Sequence, residues 1–135
     1  MTMTKCPTCK KENALRDRES SAEICGLEVR GRGLACRFCD EFLIANAELA
    51  RMEAEAASVM VARGIRDGRQ FQFVRKELDI TAVDLAKLLG VRPETISRWE
   101  RGEYPVDRAA AFALGELFER PRVVRAKLEA LATHL

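Results

Sequence analysis

The sequence predicts a mainly α chain: a small N-terminal four-cysteine ribbon with short β-strands, a connecting helix, then five short helices. Three observations predict it. Cys6-Pro7-Thr8-Cys9 and Cys36-Arg37-Phe38-Cys39 are two C-x-x-C pairs with 26 residues between them. Residues 41–63 are rich in Ala, Glu and Met and hold neither Pro nor Gly, a composition that favours helix. From Gln70 onward, apolar residues recur at three- and four-residue spacing between Gly and Pro breaks, the mark of amphipathic helices.

The 135 residues suffice for one domain or two small ones. Charged residues make up 33% and apolar ones 47%, an ordinary globular balance. No apolar run long enough to span a membrane is present, and no secretory leader opens the chain, so a cytoplasmic protein is expected. The net charge of +2 does not describe a surface coated in positive charge, so contact with nucleic acid has to rest on local placement. The expected organisation is 1–63 for ribbon and connecting helix, 64–68 for a linker with two glycines, and 69–135 for the second domain.

Each C-x-x-C pair aims two thiolates at one point. Two pairs supply the four soft ligands of a closed tetrahedral site, so Cys6, Cys9, Cys36 and Cys39 are read as ligands of a structural Zn2+. With no secretion signal seen, the paired knuckles read as metal before disulfide, and a redox dithiol is the weaker alternative. A loose alternation over Glu23 to Val29 suggests a strand, and Gly31-Arg32-Gly33 reads as a turn. So small a ribbon buries too little to fold without its metal. Cys25 is expected as a strand core residue. Arg16, Arg18, Arg30, Arg32 and Arg37 are interleaved with acids, which reads as a mixed, solvated face. In the connecting helix, Ala45, Leu49, Met52, Ala56 and Val59 form a stripe that docks on the ribbon or on another chain.

Thr81 to Gly102 contains two short helices meeting at Gly90-Val91. Thr81 can cap the first, with Asp84 three residues on. Gly90 can end it in the left-handed conformation, and Pro93 suits the first position of the next helix. Ile96 and Trp99 then point inward. Glu94, Ser97, Arg98 and Arg101 face away, with Thr95 on the flank. A rigid helix with such a free face suits the DNA major groove. Phe71, Val74 and Leu78 give a preceding helix, Ala110, Ala113, Leu114, Leu117 and Phe118 a following one, and Val124, Leu128, Leu131 and Leu135 a last. His134 reads as a polar terminal residue.

This stretch resembles the helix-turn-helix of phage-repressor and Cro-type regulators. Leu85, Ala86, Leu89, Gly90, Val91, Ile96, Ser97, Trp99, Glu100 and Gly102 meet that pattern, and the five-helix order is that of the Cro/repressor domain. One departure is Ala82, where the family usually carries a phosphate-contacting Gln. Over nearly its whole length the chain also resembles the MqsA (YgiT-type zinc finger) antitoxin family. Cys6, Cys9, Cys36 and Cys39 match that family's zinc ligands in order and pairing, and Ile96 to Gly102 matches its recognition helix. The family's base-reading Arg falls on Arg98; its base-reading Asn falls on Glu94, a departure that alters the target sequence.

The resemblance implies a C-terminal domain that dimerises and represses its own operon at a palindromic site. It implies an N-terminal zinc domain that neutralises a ribonuclease toxin of the MqsR type. The expected function is therefore a sequence-specific DNA-binding repressor of antitoxin type and not an enzyme. In it Arg98 reads bases, Glu94, Thr95 and Ser97 tune or position, and Arg92 and Arg101 contact phosphates. A homodimer through the last two helices is expected. The alternatives are a stand-alone regulator without a toxin and a protein-interaction adaptor.

Overall fold

The computed structural model describes residues 4–132. Among these, three strands and six helices follow in order: β1 (Leu15–Ile24), β2 (Leu27–Cys36), β3 (Phe42–Leu43), α1 (Asn46–Arg63), α2 (Gly68–Glu77), α3 (Ala82–Leu89), α4 (Pro93–Glu100), α5 (Arg108–Glu119) and α6 (Pro121–Ala132). The expected architecture is the one adopted: a β ribbon, a connecting helix, then five helices. The chain divides into two compact units between Glu55 and Ala56, inside α1. His134 and Leu135 lie outside the described residues.

In the first unit the strands form one antiparallel sheet of order β1-β2-β3. The β1–β2 hairpin runs from Leu15 opposite Cys36 to Ile24 opposite Leu27. Its turn is not at Gly31-Arg32-Gly33 but at Cys25-Gly26, whose φ angles are 48° and 87°. A two-residue hairpin loop needs left-handed backbone at both positions to match the twist of its strands. Cys25 is therefore a half-buried turn residue and not part of a strand core. Gly31 and Gly33 serve close packing within β2 instead. A Cβ on Gly31 would collide with Sδ of Met52, and one on Gly33 with the carbonyl oxygen of Leu43.

The connecting helix also departs from expectation. It begins at Asn46 because Phe42 and Leu43 pair with Ala35 and Leu34 as an edge strand. Its buried line is Met52, Ala56, Ala57 and Met60, whereas Ala45 is exposed and Leu49 is 43% exposed. Polar contacts to β2 explain the rotation. The Arg32 amide donates to Glu48 Oε2 at 2.8 Å, and Arg51 Nη2 donates to the Arg30 carbonyl at 2.8 Å. Arg51 Nε donates in turn to Glu48 Oε1 at 2.8 Å. Two side chains thus cover backbone groups at a sheet edge that would otherwise invite another strand. They also turn Met52 inward.

The five arginines of the ribbon are dispersed, as a mixed face requires. Arg30 pairs with Glu19 at 3.0 Å, the Arg18 guanidinium lies 5.0 Å from the Phe42 ring centre, and Arg37 donates to the Asn13 carbonyl.

In the second unit Phe71, Val74, Leu85, Ala86, Ile96, Leu114 and Leu117 are almost wholly buried. Local capping sets the helix limits. Asp67 accepts from the Gln70 amide, Thr81 from the Asp84 amide and Asp107 from the Ala110 amide. Each side-chain oxygen satisfies an amide that the helix leaves without a partner. In α6, Val124 and Leu128 are half-buried and Leu131 is 66% exposed. Among the described residues no helix is long and apolar enough to cross a membrane.

Candidate functional site

Two sites stand out, one in each unit. In the first, the thiols of Cys6, Cys9, Cys36 and Cys39 all lie within 4.8 Å of one another. Cys6 Sγ is 3.7 Å from Cys39 Sγ, and Cys9 Sγ is 3.7 Å from Cys36 Sγ. A disulfide would need ~2.05 Å. Four sulfurs at ~2.3 Å from a tetrahedral metal ion sit ~3.8 Å apart. The cluster therefore fits a single metal ion held by four protein ligands, with no position open for catalysis.

Backbone hydrogen bonds shape both knuckles. The Cys6 amide donates to the Lys11 carbonyl and the Lys10 amide to the Cys6 carbonyl. Lys10 takes a φ of 67° to close this loop. In the second knuckle the Phe38 amide donates to Cys36 Sγ at 3.3 Å, and the Cys36 amide donates to the Glu41 carbonyl. The Arg37 amide donates to the Ala14 carbonyl, and the Ala14 amide to the Thr4 carbonyl, which ties the knuckles together. Cys6, Ala14 and Leu15 form the small core beneath, with Leu34 and Leu43 against it.

The thiols are electrostatically unequal. The Cys9 amide, then the Thr8 amide and the Cys36 and Cys39 thiols, hold Cys6 down at about 7 against the push of burial. At Cys39 the Glu41 amide pulls down, but burial and the other three thiols prevail and push it up to about 12. Four thiolates this close repel one another, and a bound cation removes that repulsion.

In the second unit α3 and α4 meet at Gly90, which takes a φ of 70° and ends α3, and Pro93 opens α4. Ile96 is fully buried and Trp99 is 8% exposed, its ring edge-on to Phe71 with centroids 5.7 Å apart. On the opposite side Arg92, Glu94, Arg98 and Arg101 are exposed, while Thr95 and Ser97 are half-buried. The six residues thus lie on one stretch of chain around a single helix, and the cysteine cluster lies in the other unit.

The sequence did not reveal two features of α4. Arg75 from α2 grips Glu100 with Nε to Oε2 at 2.7 Å and Nη2 to Oε1 at 2.9 Å. Gln72 adds a bond to Glu100, and Arg75 Nη1 reaches the Ile80 carbonyl at 2.9 Å. The pair is nearly buried, with side-chain exposures of 10% and 6%. Beyond α4, the Arg98 guanidinium lies 5.8 Å from the Tyr104 ring centre. Arg101 pairs with Glu103 at 3.1 Å. The Arg101 hydrogen bond, and then the charges of Arg101 and Arg98, hold the Glu103 carboxyl below its ordinary range.

Comparison with known proteins agrees with this geometry. Residues 72–123 match the family model described as Helix-turn-helix. The chain is 32% identical over 75 residues to a protein of Pyrococcus horikoshii named as a candidate HTH-type transcriptional regulatory protein, covering 53% of this chain and 24% of that one. It is 35% identical over 69 residues to a like-named protein of Pyrococcus furiosus, covering 48% and 22%. The chain spans about a quarter of the length of these curated relatives. The expectation of a regulator and not an enzyme agrees with these matches. Residues 72–123 therefore form a helix-turn-helix domain, and over about half its length the chain is homologous to proteins named as transcriptional regulators.

Proposed function

We propose that this protein is a zinc-containing, sequence-specific DNA-binding repressor that works as a dimer on a palindromic operator. The observation that carries the proposal is the free face of α4. Glu94, Arg98 and Arg101 project from a helix whose other side is fixed by Ile96, Trp99 and the buried Arg75–Glu100 pair. A helix held this firmly can enter the major groove, where an Arg makes two hydrogen bonds to guanine. Arg98 is the base reader. Glu94 accepts from cytosine or orients Arg98 across one turn. Thr95 and Ser97 position the backbone, and Arg92 and Arg101 hold phosphates. One such helix covers only a few base pairs, so two copies related by a two-fold axis read half-sites one helical turn apart.

The four cysteines hold one Zn2+, whose role is to fold the ribbon. The resemblance to the MqsA family supports an antitoxin role in which the zinc unit binds a ribonuclease toxin. Two experiments test these readings. Purified protein is titrated onto the DNA upstream of its own gene and onto a scrambled duplex; equal affinity for both ends the repressor reading. The protein is also tagged and co-expressed with the adjoining open reading frame. A small companion that co-elutes, and is lost with Cys36→Ser and Cys39→Ser, supports the antitoxin role. A dimer that binds its operator and elutes alone leaves a stand-alone regulator.

A further inference from the structure

The outer face of α5 carries a stripe of residues that the core does not use. Ala110, Leu114 and Leu117 face the core. On the other side Arg108, Ala111, Phe112, Gly115, Glu116 and Glu119 line one open groove beside Val61, Ile65 and Val106. Their spacing of three and four residues makes a continuous stripe along the helix. Phe112 is 70% exposed in the middle of it. Phe112 is not isolated: with Ala111, Val61, Ile65 and Val106 it lines one groove bordered by Arg108, Glu116 and Glu119, and an apolar patch rimmed by polar residues marks an interaction surface.

Gly115 sits one turn beyond Phe112, where glycine disfavours helix. Crowding does not demand it. A Cβ there would meet only Val61 Cγ1, at an ordinary 3.4 Å. The stripe thus carries a knob, Phe112, next to a missing side chain.

We infer that α5 packs antiparallel against α5 of a second copy, with Phe112 of each chain seated over Gly115 of the other. A two-fold axis between residues 113 and 114 places 112 opposite 115, 111 opposite 116 and 108 opposite 119. The knob meets the hole, the small Ala111 meets the stem of Glu116, and exposed Arg108 meets exposed Glu119. Both ends of the seam are therefore basic against acidic. An isologous interface has to be self-complementary in this way, and this register satisfies shape and charge together. The inference rests on the proposed dimer and specifies its surface. It assigns the seam to α5 and not to Val123 and Leu131 of α6.

The test is self-association of the full, metal-loaded chain by analytical ultracentrifugation. Phe112→Asp is expected to weaken the dimer by about a hundredfold, as loss of a central aromatic anchor does. Arg108→Glu and Glu119→Arg each place like charges at both ends of the seam and weaken it about tenfold. An equimolar mixture of these two variants restores opposite charges at both ends, so it dimerises close to the wild type. Within one chain the two positions lie ~16 Å apart along α5, so only an intermolecular pairing gives this rescue. A wild-type chain that stays monomeric overturns the dimer reading and the seam with it. A wild-type dimer that tolerates Phe112→Asp, or charge variants that fail to rescue each other, overturns the seam alone.

Discussion

Arg75 holds Glu100 in a two-pronged clamp, 2.7 Å from Nε to Oε2 and 2.9 Å from Nη2 to Oε1. The clamp joins the last turn of α2 to the last residue of α4. It therefore fixes the helix whose free face carries Arg98. Its side chains are 10% and 6% exposed, and Gln72 and the Ile80 carbonyl occupy the remaining polar positions. Removing one partner leaves a buried charge without compensation, which costs about 3–5 kcal/mol. Glu100→Ala is expected to lower the urea midpoint of the second unit accordingly. The double variant Arg75→Met with Glu100→Leu removes both charges and recovers most of that loss. Equal destabilisation by single and double variants would show that packing, and not charge, sets the cost.

Metal dependence is expected in the first unit, where the four-cysteine cluster lies. One zinc per chain is expected by native mass spectrometry. Cys36→Ser removes one ligand of the cluster and the acceptor of the Phe38 amide, so the metal is lost. NMR should then show dispersed amide signals vanishing for residues of β1 and β2 while those of α2 to α5 persist, because the buried core beneath the cluster is small, Cys6, Ala14 and Leu15 among the described residues. Retention of the ribbon signals in the metal-free variant would mean that its hydrogen bonds and small core suffice.

What was legible in the sequence was local. The C-x-x-C spacing, the Thr81 cap, the left-handed Gly90 and Pro93 at the head of α4 each depend on a few neighbouring residues, and each is found in place. What was missed depends on distant ones. Gly31-Arg32-Gly33 looks like a turn until Met52 and Leu43 are seen to press on it. The stripe of α1 is set by Glu48 and Arg51 reaching β2, and not by apolar spacing alone. Glu100 did leave a signal. It directly follows the buried Trp99 and lies one turn beyond Ile96, so an acid on that inward flank needed a cation to meet it.

Glu48 gives a test of the edge pairing by pH. The Arg51 hydrogen bond, then the Arg32 amide, hold its carboxyl at about 2, down from 4.5. A carboxyl lowered on folding contributes stability above its unfolded value, ~4.3. That contribution is lost as pH falls from there through about 2. In a carbon-detected NMR titration from pH 6 to pH 3.5, the Glu48 Cδ resonance should therefore stay at its carboxylate position. In Arg51→Ala its midpoint should rise toward the ordinary value but stop short of it, because the Arg32 amide still donates to Glu48. Ordinary titration in the wild type would mean that the 2.8 Å bonds of Glu48 to the Arg32 amide and to Arg51 Nε do not persist in solution.

Arg98 and Arg92 should differ in kind when removed. On the proposed reading Arg98, on the free face of α4, meets bases, whereas Arg92, the N-cap residue before that helix, meets the phosphate backbone. Arg98→Ala is expected to lose about 1–3 kcal/mol on the operator and little on scrambled DNA, so that the ratio between them falls. Arg92→Ala should weaken both duplexes alike and reduce the slope of log K against log salt by about one unit for each phosphate no longer neutralised. Tyr104 extends the argument, because its ring lies 5.8 Å from the Arg98 guanidinium and limits where that side chain can point. Tyr104→Ala should then reproduce part of the Arg98 effect, and Tyr104→Phe none of it. An unchanged operator-to-scrambled ratio in Arg98→Ala would remove this residue from the reading face and shift the search to Glu94 and Ser97.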